Sequence, residues 1–295
     1  MRRTRRRLTP GRLFGIIFMT VAAAITVLPL MWMLKTAFSF NADLFADPGA
    51  WIPEQFTWLN FKRVLGFATP EEAALTGGVA SIDFMRYLGN SLLFTFVTVI
   101  GQVIFCTAAG YVFARVHFRG RNAIFVAFLA GMFIPAILVT IPNFVLIKDL
   151  GWINTYAGLI APFLLMSPFA IFFMRQFFLG YPAQLEEAAR MDGLGVFGTF
   201  ARVVIPTSIP PMITLAVIVG VTQWQEFLWP LLVAKAPDAR PLTVALSIFS
   251  DQSQGSQIDW SGLMAASTLS VVPVIIVLLL IGKRLVGSIQ LNGLR

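Results

Sequence analysis

The chain has 295 residues, of which 57% are hydrophobic and only 12% charged, with a mean hydropathy of +0.79. A water-soluble domain carries about 25% charged residues, so this chain has too little polar surface to cover a soluble globule and reads as a polytopic membrane protein. The net charge of +8 raises nucleic acid as a partner, but six of the basic residues crowd into "MRRTRRRLTPGR" directly before an apolar stretch. That is the pattern of a cytoplasmic anchor held inside by positive charge, and no nucleic-acid partner is expected.

A bilayer core of about 30 Å needs roughly 20 apolar residues of helix. Six segments meet that length: Leu13–Thr36, Leu88–Ala114, Ala123–Ile147, Ile153–Phe178, Pro206–Val233 and Ser261–Ile281. The first is too long for the core of a cleaved signal peptide and is read as an uncleaved span. Their length also excludes barrel strands, which cross in about 9–11 alternating residues. The fold class is therefore all-α, with six transmembrane helices. Pro29, Pro135, Pro142, Pro162 and Pro168 fall inside the spans, where neighbouring helices or water must satisfy the carbonyls they free.

With the N-terminus inside, six spans put both termini in the cytoplasm. That assignment places fifteen of the 22 lysines and arginines on the inner side, from Arg2 to Arg295, and seven outside: Lys35, Lys62, Arg63, Arg86, Lys148, Lys235 and Arg240. The asymmetry supports the orientation. The organisation then reads as a basic cytoplasmic N-terminus at 1–12, a first span at 13–36 and an extracytoplasmic segment at 37–87. A five-helix core follows at 88–285, and a cytoplasmic tail at 286–295. Short helices are expected in the outer segment around "PEQFTWLNFKRVL".

Between the fourth and fifth spans lies "LEEAARMDGLGVFG", a polar interruption with three acids, an arginine and three glycines. Pro182 suits the first turn of a helix, Ala183 to Asp192 are compatible with one, and Gly193 supplies a left-handed stop. A short surface helix at 182–193 results, too polar to cross the membrane. Gly193-x-Gly195-x-x-Gly198 has the form of a dinucleotide fingerprint. That fingerprint works only after a strand and at the start of a helix; here the glycines follow a helix, so they end it and turn the chain. Either the helix lies in the headgroup layer or it docks on a cytosolic partner. Three acids match an anionic leaflet poorly.

"EEAARMDG" followed by "VVIPTSIPP" resembles the EAA signature of bacterial ABC importer permeases. The matching positions are Glu187, Ala188, Ala189 and Gly193, with Val203-x-Ile205-Pro206 in place of the family's I-x-L-P group. "YLGNSLLFTFVTVIGQVIFCTAAGYVFARVHFRGR", "IPNFVLIKDLGWINTYAGLIAP" and "WQEFLWPLL" resemble stretches of the sugar-importer branch, and specifically permeases like the second membrane subunit of the maltose transporter. The resemblance covers about residues 10–285; Gln225 stands where the branch has asparagine, and the tail "GSIQLNGLR" departs from the family's glycine-rich ending.

The resemblance implies a type I ABC importer permease fold in a bacterial or archaeal cell membrane. It implies three kinds of partner besides the lipid bilayer: a second homologous permease, two ATPase subunits and an extracytoplasmic sugar-binding protein. The short helix becomes a coupling helix, with Glu187, Ala188, Ala189, Arg190, Asp192 and Gly193 at the ATPase interface, Glu187 and Arg190 pairing with the partner, and Glu186 and Asp192 flanking. ATP and magnesium belong to the ATPase subunits, so this chain needs no cofactor of its own.

An acid inside a span faces the bundle interior or a water-filled cavity by default. Glu226 is such an acid, and with Gln223, Trp224 and Trp229 it forms the expected translocation path; the other reading puts Glu226 and Trp229 at the outer interface, hydrated and structural. His117 and Cys106 are each alone of their type, so neither a metal site nor a catalytic constellation is expected. The competing function is a stand-alone ion-coupled secondary transporter, which predicts paired intramembrane acids or inverted repeats.

Overall fold

The computed structural model describes residues 10–76, 82–252 and 258–290. The arginines expected at 1–9 and the last five residues of the tail lie outside the described residues, as do the side chains of Lys283 and Arg284. In chain order the helices are α1 (Pro10–Ala37), α2 (Asn41–Ala46), α3 (Leu59–Val64), α4 (Pro70–Leu75), α5 (Phe84–Arg115), α6 (Arg121–Ala130), α7 (Ala136–Asp149) and α8 (Tyr156–Leu164). They continue as α9 (Pro168–Leu179), α10 (Ala183–Met191), α11 (Val196–Thr199), α12 (Ile205–Thr207), α13 (Ile209–Trp224), α14 (Leu228–Val233), α15 (Leu242–Gln252) and α16 (Trp260–Gln290).

Four stretches are long and apolar enough to cross a membrane alone: Gly11–Ala37, Phe84–Arg115, Tyr156–Leu179 and Trp260–Gly282. Two bent pairs, Arg121–Phe133 with Ala136–Asp149 and Val196–Thr207 with Ile209–Trp224, bring the spans to six. Hydropathy locates the apolar window, but helices run past it: α5 begins at Phe84 rather than 88, and α16 continues to Gln290, into the tail expected from 286.

Prolines set the bends. The third span turns by 98° at Pro135, which offers no N–H to the carbonyl four residues back and drives Ile134 into an extended conformation (φ −79°, ψ 119°). The fourth span breaks before Pro168 in the same way, with Ser167 extended and capping α9 by accepting the Ala170 N–H. Breaks inside a membrane leave carbonyls without partners, and α5 supplies them. Gln102 donates to the Phe163 carbonyl at 2.8 Å, and the Cys106 thiol lies 3.8 and 3.9 Å from the carbonyls of Leu165 and Ser167. The lone cysteine is thus a buried polar contact.

The chain divides into two compact units, Met1–Phe84 with Ile248–Val271, and Met85–Ser247 with Val272–Arg295. In the first, α1 is apolar on every side and none of its most apolar window is buried within the chain. Polar side chains organise the rest. Asn60 donates to the carbonyls of Ala37 and Ser39 (2.9 and 2.8 Å), and Asn41 donates to the Ile258 carbonyl (3.1 Å). Arg63 on α3 forms a buried ion pair with Asp259 at 2.5 Å. Asp259 also accepts the Gly262 N–H (2.9 Å) and so caps the start of α16. On α4 a capping box joins Thr69 and Glu72. Hydrogen bonds from Lys62 and the Thr69 N–H hold the Glu72 carboxyl below its ordinary range.

The second unit has two apolar cores. One gathers Cys106, Tyr111, Phe113, Phe125, Ile171, Met174, Phe178 and Leu215; the other gathers Phe94, Ile147, Leu159, Trp229 and Val233. Along α5 they are about 18 Å apart, at a helical rise of about 1.5 Å per residue between Phe94 and Cys106. Helix α5 therefore serves both ends of the unit. It seats closely on α9: a Cβ at Gly110 would lie 2.7 Å from Met174 Cβ and 2.9 Å from the Arg175 backbone nitrogen. Small residues permit such approach between membrane helices.

Candidate functional site

Helix α10 is short and polar, begins after Pro182 in an extended conformation, and carries Glu186 in its first turn, where a negative charge suits the helix dipole. Pro182 is the residue that caps the helix rather than its first turn. The end is set by Gly193 at φ +81°. Its N–H donates to the Arg190 carbonyl and the Leu194 N–H donates to the Ala189 carbonyl, both at 3.0 Å. These two bonds satisfy carbonyls that a helix end otherwise orphans. Gly195 then caps α11.

The six residues expected at the partner interface do not share one face. Glu187, Ala188, Arg190, Asp192 and Gly193 are exposed, whereas Ala189 is buried. Among the described residues none of Glu187, Arg190 and Asp192 forms an ion pair. Beside them Met191 is 89% exposed and Phe197 82%. The outer face of α10 and α11 thus combines unpaired charge with large apolar side chains.

Glu186 corrects the sequence reading. It was expected to flank a partner, yet it is buried, with Oε1 3.4 Å from Nε of Arg115. Arg115 also donates through Nη2 to the Tyr181 carbonyl, just ahead of α10. Four residues earlier on α5, Tyr111 packs on Phe178 and Phe200. Tyr181 bonds Thr207 through its hydroxyl at 2.7 Å. Sequence reasoning placed Arg115 only among inner basic residues, and nothing in local sequence links it to an acid so far along the chain.

The expected path residues separate as well. Gln223 is buried on α13 with its side-chain oxygen unbonded, and Trp224 ends that helix part-buried. Glu226 does not lie within a continuous span. In an unbroken helix its carbonyl would accept from residue 230, but Pro230 has no N–H. The helix opens there; the Glu226 carbonyl accepts the Thr243 hydroxyl (3.0 Å) and its carboxylate accepts the Trp229 N–H (3.2 Å), capping α14. Trp229 is 4% exposed, its indole N–H donates to the Gly158 carbonyl (3.2 Å), and its edge meets Phe163. Among the described residues no group of His, Cys, Asp and Glu could hold a metal ion.

Long helices with apolar sides facing outward, two bent spans, a break in the fourth span whose carbonyls α5 satisfies and a polar helix between two spans define an integral membrane protein with several crossings. Comparison with known proteins narrows the class. The sequence profile of the binding-protein-dependent transport system inner membrane component family matches residues 106–290. The chain belongs to this family, as the EAA segment indicated. The arabinooligosaccharides transport system permease protein of Halalkalibacterium halodurans is 30% identical over 275 residues, covering 92% of each chain. Its counterpart in Bacillus subtilis is 34% identical over 212 residues, 72% of this chain and 74% of that one. The trehalose/maltose transport system permease protein of Thermococcus litoralis is 28% identical, covering 96% and 97%. A chain from the crystal structure of a bacterial ABC transporter involved in import of the acidic polysaccharide alginate superposes with a TM-score of 0.77 at 23% identity, over 93% of this chain and 98% of that one. The fold is that of a type I ABC importer permease.

Proposed function

We propose that this chain is one of two membrane subunits of an ATP-driven importer of sugars, docked through α10 on a cytosolic ATPase. The observation that carries this reading is the outer face of α10. Glu187, Arg190 and Asp192 are exposed and unpaired among the described residues, next to the exposed Met191 and Phe197. Such a face suits a polar partner that also offers an apolar pocket, since buried apolar anchors carry most of the affinity of an interface. The helix is rigidly ended at Gly193, as a lever must be. ATP and magnesium belong to the partner, and this chain's contribution is movement of its spans between inward-facing and outward-facing states.

In this reading both termini and α10 lie in the cytoplasm of a bacterial or archaeal cell, a second permease completes the path, and an extracytoplasmic binding protein delivers the solute. The relatives' names favour oligosaccharides; a permease protein of an sn-glycerol-3-phosphate transport system is also 27% identical. Gln223, Trp224 and Glu226 remain path residues in this proposal, with Trp229 as packing behind them. The test reconstitutes the chain with a second permease, an ATPase and a binding protein and measures ATP hydrolysis and uptake of labelled arabinooligosaccharide, maltose, trehalose and glycerol 3-phosphate. Glu187→Arg is expected to abolish uptake. Full uptake by that variant, or uptake driven by an ion gradient without ATP, would refute the reading.

A further inference from the structure

We propose that Arg115 is a positioning residue that clamps α10 to the end of α5, so that a displacement of α10 travels along α5 to the segment 237–242. The inference rests on the reading of α10 as the ATPase-docking helix. It concerns what happens inside this chain once α10 is moved.

The clamp has two points. Arg115 is the last residue of α5; it donates to the Tyr181 carbonyl ahead of α10 and meets the Glu186 carboxylate, one turn into it, as an ion pair at 3.4 Å without a hydrogen bond. A single contact would let the short helix pivot, whereas two contacts along its axis fix its direction. The side chains of Arg115 and Glu186 are 19% and 7% exposed. Removing either partner would strand a charge away from water, so the pair resists separation during a stroke. Tyr111, Tyr181 and Arg190 lie in the same electrostatic neighbourhood as the pair, and Glu186 is the acid that ion-pairs with Arg115 among the described residues.

The far end of α5 is anchored equally firmly. Asn90 donates to the carbonyls of Pro237 (3.3 Å) and Arg240 (2.8 Å) and accepts from the Tyr156 hydroxyl (2.6 Å). Ser91 accepts the Leu242 N–H (2.8 Å). From Asn90 to Arg115 the helix spans about 38 Å, at about 1.5 Å per residue, enough to reach across a bilayer core. The intimate seat of Gly110 on α9 keeps α5 from sliding alone. One continuous helix therefore joins α10 to the segment on the opposite side of the membrane.

The test uses the complete transporter in lipid nanodiscs, in a Cys106→Ser background, with its binding protein, without nucleotide and with ATP plus vanadate. Nitroxides at Gln184→Cys on α10 and Val112→Cys on α5 report whether the two helices move together. Their separation is expected to stay within about 2 Å between states, whereas an independent α10 would shift by as much as a helical turn, about 5 Å. A nitroxide at Lys235→Cys reports on the far side. With Glu186→Gln or Arg115→Met, ATP hydrolysis is expected to continue while the nucleotide response at position 235 falls at least about tenfold, as the broken buried pair frees α10. A purely structural loss would lower both readouts together with the amount of folded complex.

A full response at position 235 in Glu186→Gln, or a turn-sized change between positions 184 and 112 in the otherwise native chain, would overturn the clamp. If the variants do not assemble, the native distance decides alone. Absence of binding-protein-stimulated ATP hydrolysis in the native assembly would instead overturn the reading of function, and the clamp with it.

Discussion

Replacing Gly110 by alanine measures how closely α5 and α9 must approach. The added Cβ would meet Met174 Cβ at 2.7 Å and Met174 and Arg175 backbone atoms at 3.1 and 2.9 Å. Backbone cannot swing aside as a side-chain tip can, so the helices would have to separate by about 0.7 Å to restore ordinary contact, and overpacking of this kind costs about 1–3 kcal/mol. Gly89, on the same helix, has nothing within 4 Å of its Cβ position; alanine there is expected to stabilise by about 0.5–1 kcal/mol through helix propensity alone. The same chemical change on one helix should thus have opposite signs. Equilibrium unfolding of the two variants in mixed detergent micelles checks this, with the curves separated by about 1.5–4 kcal/mol. Equal effects at both positions would refute the close seat of α5 on α9.

Three further outcomes follow from single contacts. Gly193→Ala forces a side chain into a left-handed backbone (φ +81°) and should cost about 1–2 kcal/mol, seen as faster hydrogen exchange of the Gly193 and Leu194 amides; unchanged exchange would contradict the helix stop. Trp229→Phe keeps a ring but leaves the Gly158 carbonyl unpaired, costing about 1–3 kcal/mol in micellar unfolding, with KM for the transported solute unchanged. A shifted KM with unaltered stability would return Trp229 to the path. Asp259→Asn keeps an acceptor for the Gly262 N–H but strips the buried Arg63 of its counter-charge, and Nε and Nη1 of Arg63 have no other hydrogen-bond partner. The expected loss is about 3–5 kcal/mol, and a loss below about 1 kcal/mol, the size of an exposed pair, would argue against burial.

What the sequence determined by itself was whatever depends on nearby residues or on the solvent. The scarcity of charge and the length of the apolar runs already require membrane helices, because a bilayer sets both hydropathy and length. The helix at Ala183–Met191 and its stop at Gly193 were legible too, since helix propensity and a left-handed turn are local properties. Proline positions announced breaks, though not which groups would satisfy the freed carbonyls. That was decided by packing, which put Gln102 and Cys106 of α5 against the break between α8 and α9. Packing also turned Glu186 inward onto Arg115 while leaving Glu187 outside, a difference of one step around a helix whose burial depends on what lies beside it. Trp229 reads from the sequence as an expected path residue beside Glu226 or as a structural residue at the outer interface; only the tertiary structure shows its indole N–H bonded to the Gly158 carbonyl. Polar and aromatic side chains at this membrane's depth must find partners, and those partners come from distant parts of the chain that no local pattern can name.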